Sequence, residues 1–217
     1  WFELLADIVP NHIISDEVPA AVADRAVIVA PLQMFAIECV ARGYLTGSGL
    51  TEYKQSQSLC RNPLPAGLLD GSELPESIFT PATKAEVGDH DINIDFESAA
   101  KIVGEEEAHE LKRVTLKLYD TAAEFARERG IILADTKFEF GLDKDNKLVL
   151  IDEIFTPDCS RFWLYKNNKI DYKSFDKQFF RDYLTSIKWN NNQIQLPEDI
   201  KNSLLEKYQV AYNLITI

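Results

Sequence analysis

Positive charge is in short supply in this 217-residue chain: 23 lysines and arginines stand against 35 aspartates and glutamates, a net charge of −12. So acidic a chain repels polyanions, so neither nucleic acid nor an anionic membrane is an expected partner. Cysteine is scarce as well. Cys39, Cys60 and Cys159 are odd in number, far apart and never spaced C-x-x-C, which suits neither a disulfide framework nor a zinc knuckle. That usage fits a reducing compartment, no secretory leader pattern opens the sequence, and a cytoplasmic location is expected. No apolar run approaches the ~20 residues of a membrane helix, and no internal repeat is visible. What remains, 46% hydrophobic and 27% charged, is the composition of a globular protein. The length suits one substantial domain or two small lobes sharing a cleft.

Several segments announce their structure. Ala26 to Gly47 is rich in Val, Ile and Ala with a break at Pro31, and reads as two adjacent buried strands. Ser48 to Phe79 reads as a loop-rich stretch, long enough to be functional. A capped helix is expected from Asp95 to Val103, stopping at Gly104, and a longer one from Glu105 to Arg129, stopping at Gly130. In the second, Ala108, Leu111, Val114, Leu118, Ala122 and Phe125 recur at helical spacing and mark the face turned to the core. ILADTKFEFG and KLVLIDEIF read as a hairpin about a turn at Asp145 and Asn146. Two helices close the chain, one around Phe175, Phe179, Tyr183 and Leu184, and one opening at Pro197 and carrying Ile200, Leu204, Tyr208 and Ala211.

The chemistry concentrates in the hairpin. Alternation puts Asp135, Lys137 and Glu139 on one face of the first strand and Thr136, Phe138 and Phe140 on the other. The charged face is either solvated surface or the floor of a cleft. A turn centred on Asp145 and Asn146 would set Asp152 opposite Glu139, and directly opposed carboxylates call for a cation between them. Mg²⁺ with nucleotide phosphates is one answer; pairing of Glu139 with a lysine across the sheet is the other. Beyond the hairpin, FTPDCSRFW places Asp158, Ser160 and Arg161 together where the strand ends, with Arg161 a fork suited to phosphate or carboxylate. VARGYLTGSG places Arg42 at a strand end and Ser48 in a glycine-flanked turn whose N–H groups could approach an anion. FTPATKAEVGDHD adds Lys84, His90 and Asp91; His90 reads more readily as a turn-stabilising residue than as a metal ligand.

Together ECVARGYLTGS, FTPATKAEVGDHD, ILADTKFEFG and DEIFTPDCSRFW closely resemble the motifs of the SAICAR synthase family of purine biosynthesis, in the same order and spacing. The resemblance runs from about Leu32 onward and implies an α+β fold of two lobes with ATP in the cleft between them. Residues 1–36 would be the remainder of the N-terminal ATP-binding lobe and 37–217 the C-terminal lobe with the substrate and metal site. The family's glycine-rich segment over the ATP phosphates has no match in residues 1–31, so the N-terminal lobe is expected to be incomplete. Ala36 also stands where the family usually has proline.

The resemblance further implies a ligase joining L-aspartate to carboxyaminoimidazole ribotide (CAIR), with ATP and Mg²⁺ as cofactors and an acyl phosphate intermediate. By it, Lys137, Asp135 and Arg161 are catalytic, and Arg42, Ser48, Asp91, Ser160 and Arg181 bind substrate. Met34 and Lys84 bind ATP, Lys84 at the phosphates, and Glu139 and Asp152 hold both ATP and the metal. A small-molecule phosphotransferase and a non-catalytic ribotide-binding fragment are the alternatives.

Overall fold

The structure, a computed structural model, describes the chain apart from residues 24, 85–91, 173, 174, 176, 177, 191 and 217 and the side chain of Gln178. It opens with strands β1 (Ile13–Ser15), β2 (Ile28–Val29), β3 (Gln33–Met34) and β4 (Ile37–Leu45). Helix α1 (Gly47–Ser56), the small β5 (Ser58–Leu59) and β6 (Asn62–Pro63), then β7 (Ser72–Phe79) and β8 (Ala82–Thr83) follow. Helices α2 (Phe96–Val103) and α3 (Glu105–Glu128) lead to β9 (Ile131–Leu142), β10 (Leu148–Ile151), β11 (Ser160–Lys166) and β12 (Lys169–Asp171). Helices α4 (Gln178–Ser186) and α5 (Glu198–Thr216) end the chain. The architecture is α+β, as expected.

Strand β9 is the spine of an eight-stranded sheet. Its β-branched and aromatic residues suit a central strand. Along one edge it pairs with β11 through Ile131 to Thr136 and with β10 through Glu139 to Leu142; along the other it pairs with β4 through Asp135 to Phe138 and with β3 at Gly141 and Leu142. Strand β4 in turn carries β7 and β8 on its far edge. All these pairings are antiparallel, so one face can pack on a helix while the other is open. Helix α3 covers the packed face: its Ala108, Leu111, Val114, Leu118 and Ala122 share a core with Ile37, Cys39 and Ala41 of β4 and Phe138 and Phe140 of β9. Leu5 and Val9 are buried in that same core.

The two central helices follow their sequence signals. The Asp95 side chain accepts from Ser98 N at 2.8 Å, capping α2, and Gly104 and Gly130 take the positive φ that each helix end requires. Elsewhere the chain departs from expectation. Residues 26–29 are exposed, and β2 pairs with β1 and not with β4, so Ala26 to Gly47 is not two adjacent buried strands. The stretch from Ser48 to Phe79 holds helix α1 and strand β7. There Gly-Ser-Gly imitates a turn, but buried Tyr53 anchors a helix one turn on, and Gln57 closes it in the left-handed conformation.

The hairpin forms, but its register is one residue off. Five residues, Asp143 to Lys147, make the connection, with Asn146 left-handed and the Asp143 carboxylate accepting from the backbone N–H of Asp145 and Lys147. An odd-length loop shifts the pairing by one relative to a two-residue turn. Glu139 therefore lies opposite Ile151, and Asp152 follows the end of β10 with φ 61°.

A second irregularity sits in β9 itself. Ser160 pairs with Thr136 but Phe162 pairs with Leu133, so two steps on β11 span three on β9. This bulge reverses the alternation. Before it the odd residues Ile131 and Leu133 enter the helix-covered core; after it the even residues Phe138 and Phe140 do. Asp135, Lys137 and Glu139 are thereby turned together to the open face.

Behind β4 the packing leaves no spare volume at Gly43, where a Cβ would lie 2.3 Å from the hydroxyl oxygen of Tyr119. That hydroxyl donates to the Leu133 carbonyl at 2.5 Å, beside the bulge. Gly43→Ala is expected to destabilise the fold by about 1–3 kcal/mol, and Tyr119→Phe in the same chain to recover part of the loss. Urea unfolding of both single variants and the double variant checks this; simple additivity would show that the two positions do not collide.

Candidate active site

On the open face, alternation along β4 lines up Glu38, Val40 and Arg42 beside Asp135, Lys137 and Glu139 of β9, because Val40 pairs with Lys137 and Arg42 with Asp135. Arg161, second in β11, adds a third strand. The result is a cleft of about 360 Å³ lined by Glu38, Arg42, Ser48, Asn93, Asp135, Lys137, Cys159, Arg161 and Arg181, among others. The charged face of β9 is thus a cleft floor and not solvated surface: Asp135 is 5% exposed and Glu139 8%. A hollow of similar volume, lined by Tyr44, Glu73 and Arg127 among others, lies behind β4 on the opposite face and holds none of these groups, so volume alone does not pick out the site.

At one end Asp135 is shared. Its Oδ2 accepts from Arg42 Nη1 at 2.9 Å and from Arg161 Nη1. One carboxylate cannot neutralise two guanidinium groups, so this corner keeps net positive charge among buried walls, where charge acts over low dielectric. Burial pulls the Arg42 pKa down; Asp135 counters that, and neighbouring Arg161 adds to it. Arginine remains charged regardless. Arg42 also donates from Nη2 to Ser48 Oγ at 3.1 Å and from Nε to Thr80 Oγ1 at 2.9 Å. Ser48 sits in the first turn of α1 and not in a free turn, so the helix N-terminus adds its partial positive charge to the corner. Gly47, at φ 56°, gives Arg161 its room: a Cβ there would meet the guanidinium at 2.5 Å.

The other end is a chain of alternating charge. Lys137 Nζ donates to Glu38 Oε1 at 3.0 Å and to Glu139 Oε1 at 3.2 Å, and Lys84 Nζ donates to Glu139 Oε2. Burial works against charging Lys137, but its bonds to Glu38 and Glu139 outweigh that and raise its pKa. Burial likewise opposes ionising Glu139, yet Lys84 and Lys137 hold its pKa below the usual carboxylate value. Lys137 is therefore a fixed cation at neutral pH and not a proton acceptor. Cys39 and Cys60 are pushed up to about 12, chiefly by burial, and are not nucleophiles.

Of the residues expected at the site, Arg42, Ser48, Asp135, Lys137, Arg161 and Arg181 line the cleft together, and Lys84 and Glu139 join it through Lys137. Ser160 begins β11 instead of ending a strand, and is wholly buried with its hydroxyl 2.7 Å from that of Thr136. Met34 is half exposed on β3 beside Gly141, outside the cleft lining. Asp152 is exposed past β10 and does not oppose Glu139. Lys137, two residues back on the same strand, and Lys84, just past β8, partner Glu139 in place of a second carboxylate. His90 and Asp91 lie outside the described residues.

Glu38, Thr80 and Asn93 were missed. Glu38 was legible, since it shares the period-two face of β4 with Arg42. Thr80 and Asn93 sit outside strands and carry no periodic signal. Among the described residues no cluster of three or more His, Cys, Asp or Glu could hold a metal by itself. Glu139 within β9 and Asp152 just past β10 are nevertheless all-oxygen donors, and Mg²⁺ needs only one or two carboxylates when phosphates complete its shell. Their donor chemistry fits that ion. No helix among the described residues is long and apolar enough to cross a membrane.

Replacing Glu139 tests the charge chain. A lowered carboxylate pKa contributes stability that is full above the ordinary range near 4.5 and is lost as pH falls through the lowered value. Glu139→Gln should therefore cost about 1–2 kcal/mol near neutral pH, with the gap to wild type closing toward pH 3. Urea melts across that range give the answer; a gap that does not change with pH would remove the Lys84–Glu139–Lys137 link.

Comparison with known proteins agrees with this geometry. A family model described as SAICAR synthetase matches residues 1–196. A phosphoribosylaminoimidazole-succinocarboxamide synthase of Streptomyces coelicolor is 51% identical over 229 aligned positions, covering 100% of this chain and 76% of that protein. Among solved structures, a SAICAR synthase from Saccharomyces cerevisiae complexed with SAICAR superposes with a TM-score of 0.86 at 38% identity, covering 100% of this chain and 77% of the other. A type-2 SAICAR synthetase in complex with ADP gives a TM-score of 0.70 at 30% identity over 99% of this chain and 76% of that one.

Proposed function

This chain belongs to the SAICAR synthetase family, ligases of purine biosynthesis, and from that premise we propose that it joins L-aspartate to CAIR with hydrolysis of ATP, giving SAICAR, ADP and phosphate. The observation that carries the reading is the pair of guanidinium groups held on Asp135. In a chain of net charge −12, Arg42, Lys84, Lys137, Arg161 and Arg181 are gathered into one cleft with fewer carboxylates. Such a cleft fits a small polyanion, and CAIR, aspartate and ATP are all anionic.

A carboxylate repels an incoming amine, so CAIR must first be activated, most simply as an acyl phosphate that the amine of aspartate then attacks with loss of phosphate. The chain's residues orient and shield these anions. Arg42, Ser48 and Arg161 would hold a phosphate or carboxylate at the helix N-terminus, with Arg181 beside them and Asp135 fixing both forks. Lys137, kept protonated by Glu38 and Glu139, would sit against charge that develops on the reacting carboxyl. Lys84 would face the nucleotide phosphates with Met34 near the base, and Asp91 would belong to the substrate set. Mg²⁺ would be held by Glu139 and Asp152, and when bound it neutralises phosphate charge. The two-lobe division at residues 36 and 37 belongs to the same proposal. Orientation of this kind is worth several kcal/mol of barrier.

The test is SAICAR formation from CAIR, ATP and L-aspartate. ADP release that depends on aspartate supports the ligase, whereas ATP turnover without aspartate would show a phosphotransferase. Arg161→Lys should lower kcat/KM by more than about tenfold, since a point charge cannot replace a fork. Glu139→Gln and Asp152→Asn should each abolish Mg²⁺-dependent turnover with unchanged circular dichroism; wild-type rates in either would remove it from the metal set.

A further inference from the structure

Arg42 is held on three sides, by side chains of α1, of β9 and of the link between β7 and β8. A guanidinium carries five N–H groups. Among the described residues Thr80 takes the one on Nε, Asp135 one on Nη1 and Ser48 one on Nη2, which leaves one on each terminal nitrogen without a partner. Of the three acceptors only Asp135 is charged, and it is already divided with Arg161. A hydroxyl at Nε holds the fork without cancelling its charge, which a second carboxylate would do. Ser48, by contrast, lines the cleft itself.

Thr80 is well placed to be rigid. It is 0% exposed, and its N–H donates to the Val40 carbonyl at 2.8 Å, two residues from Arg42 on the same strand. It lies between β7 and β8, which both pair with β4, as Arg42 with Ile78 and Glu38 with Ala82. The hydroxyl is therefore fixed relative to the backbone that carries Arg42. Thr80 is not among the residues that line the cleft.

We infer that Thr80 is a positioning residue for anion recognition, its hydroxyl locking the Arg42 guanidinium so that the two unpartnered N–H groups meet the phosphate or carboxylate of the substrate. The inference rests on the ligase reading for the identity of that substrate, but the positioning itself concerns any small anion in this corner. Without the Nε bond the fork retains Asp135 and Ser48 and can turn about them, so the two free N–H groups lose their fixed direction. Affinity for the anion falls, while the steps at the Lys84 and Glu139 end continue.

The experiment compares Thr80→Val, nearly isosteric but without an acceptor, and Thr80→Ser, which keeps the oxygen, with wild type. Thr80→Val is expected to raise KM for CAIR about tenfold or more, with kcat and KM for ATP changed far less, and Thr80→Ser to restore most of the loss. Equal changes in the Michaelis constants for CAIR and ATP, or a serine variant as poor as valine, would reduce Thr80 to a packing residue and overturn the inference. Calorimetric titration with ribose 5-phosphate separates this from the function. If wild type makes no SAICAR, the ligase reading fails on its own. Weaker binding of ribose 5-phosphate to Thr80→Val than to wild type or Thr80→Ser still supports the positioning, and equal binding to all three overturns it.

Discussion

The joining of three strands on the open face depends on a single carboxylate with more cation around it than it can neutralise. Asp135 joins Arg42 of β4 to Arg161 of β11 across its own strand, so three neighbouring strands are tied at one oxygen. Were each arginine given its own acid, the corner would be neutral and rigid but indifferent to ligands. Sharing leaves a deficit of negative charge that a bound anion would make good. The same constraint explains the neighbourhood: hydroxyls of Ser48 and Thr80 each take one more hydrogen of the Arg42 guanidinium and bond without adding negative charge.

The opposite end of the cleft follows another rule. Glu38, Lys137, Glu139 and Lys84 alternate in sign, each neighbour satisfying the last, so buried charge is compensated locally. One end is thus built to lack an anion and the other to be self-sufficient. A substrate with a phosphate at one extremity and a reacting carboxyl at the other would meet the two environments in turn.

Sequence patterns revealed the parts of the fold that depend on local periodicity. Helices α2 and α3, their glycine stops and the face of α3 that meets the core all follow from spacing and capping, and the charged side of β9 follows from alternation. What escaped depended on counting across a turn or between strands. An odd loop moved Asp152 away from Glu139, and no composition signal distinguishes five connecting residues from two. The Gly-Ser-Gly opening of α1 imitated a turn because its anchor, Tyr53, lies a full turn later. The motifs of the resemblance brought most of the site together and contain Glu38 and Thr80 as well, but assign them no role, because both act on other side chains.

The bulge in β9 has a bearing on how this strand can change over time. On either side of it the letters facing the helix are of opposite parity, Leu133 before and Phe138 after, so the strand is written in two reading phases joined at Ala134 and Asp135. Point changes respect that grammar; a one-letter deletion just beyond the bulge, with the bulge kept, would exchange the faces of the second half, sending Phe138 and Phe140 toward water and the charges into the core. Drift by substitution is therefore open to every position of the strand, but drift in length is closed at its middle.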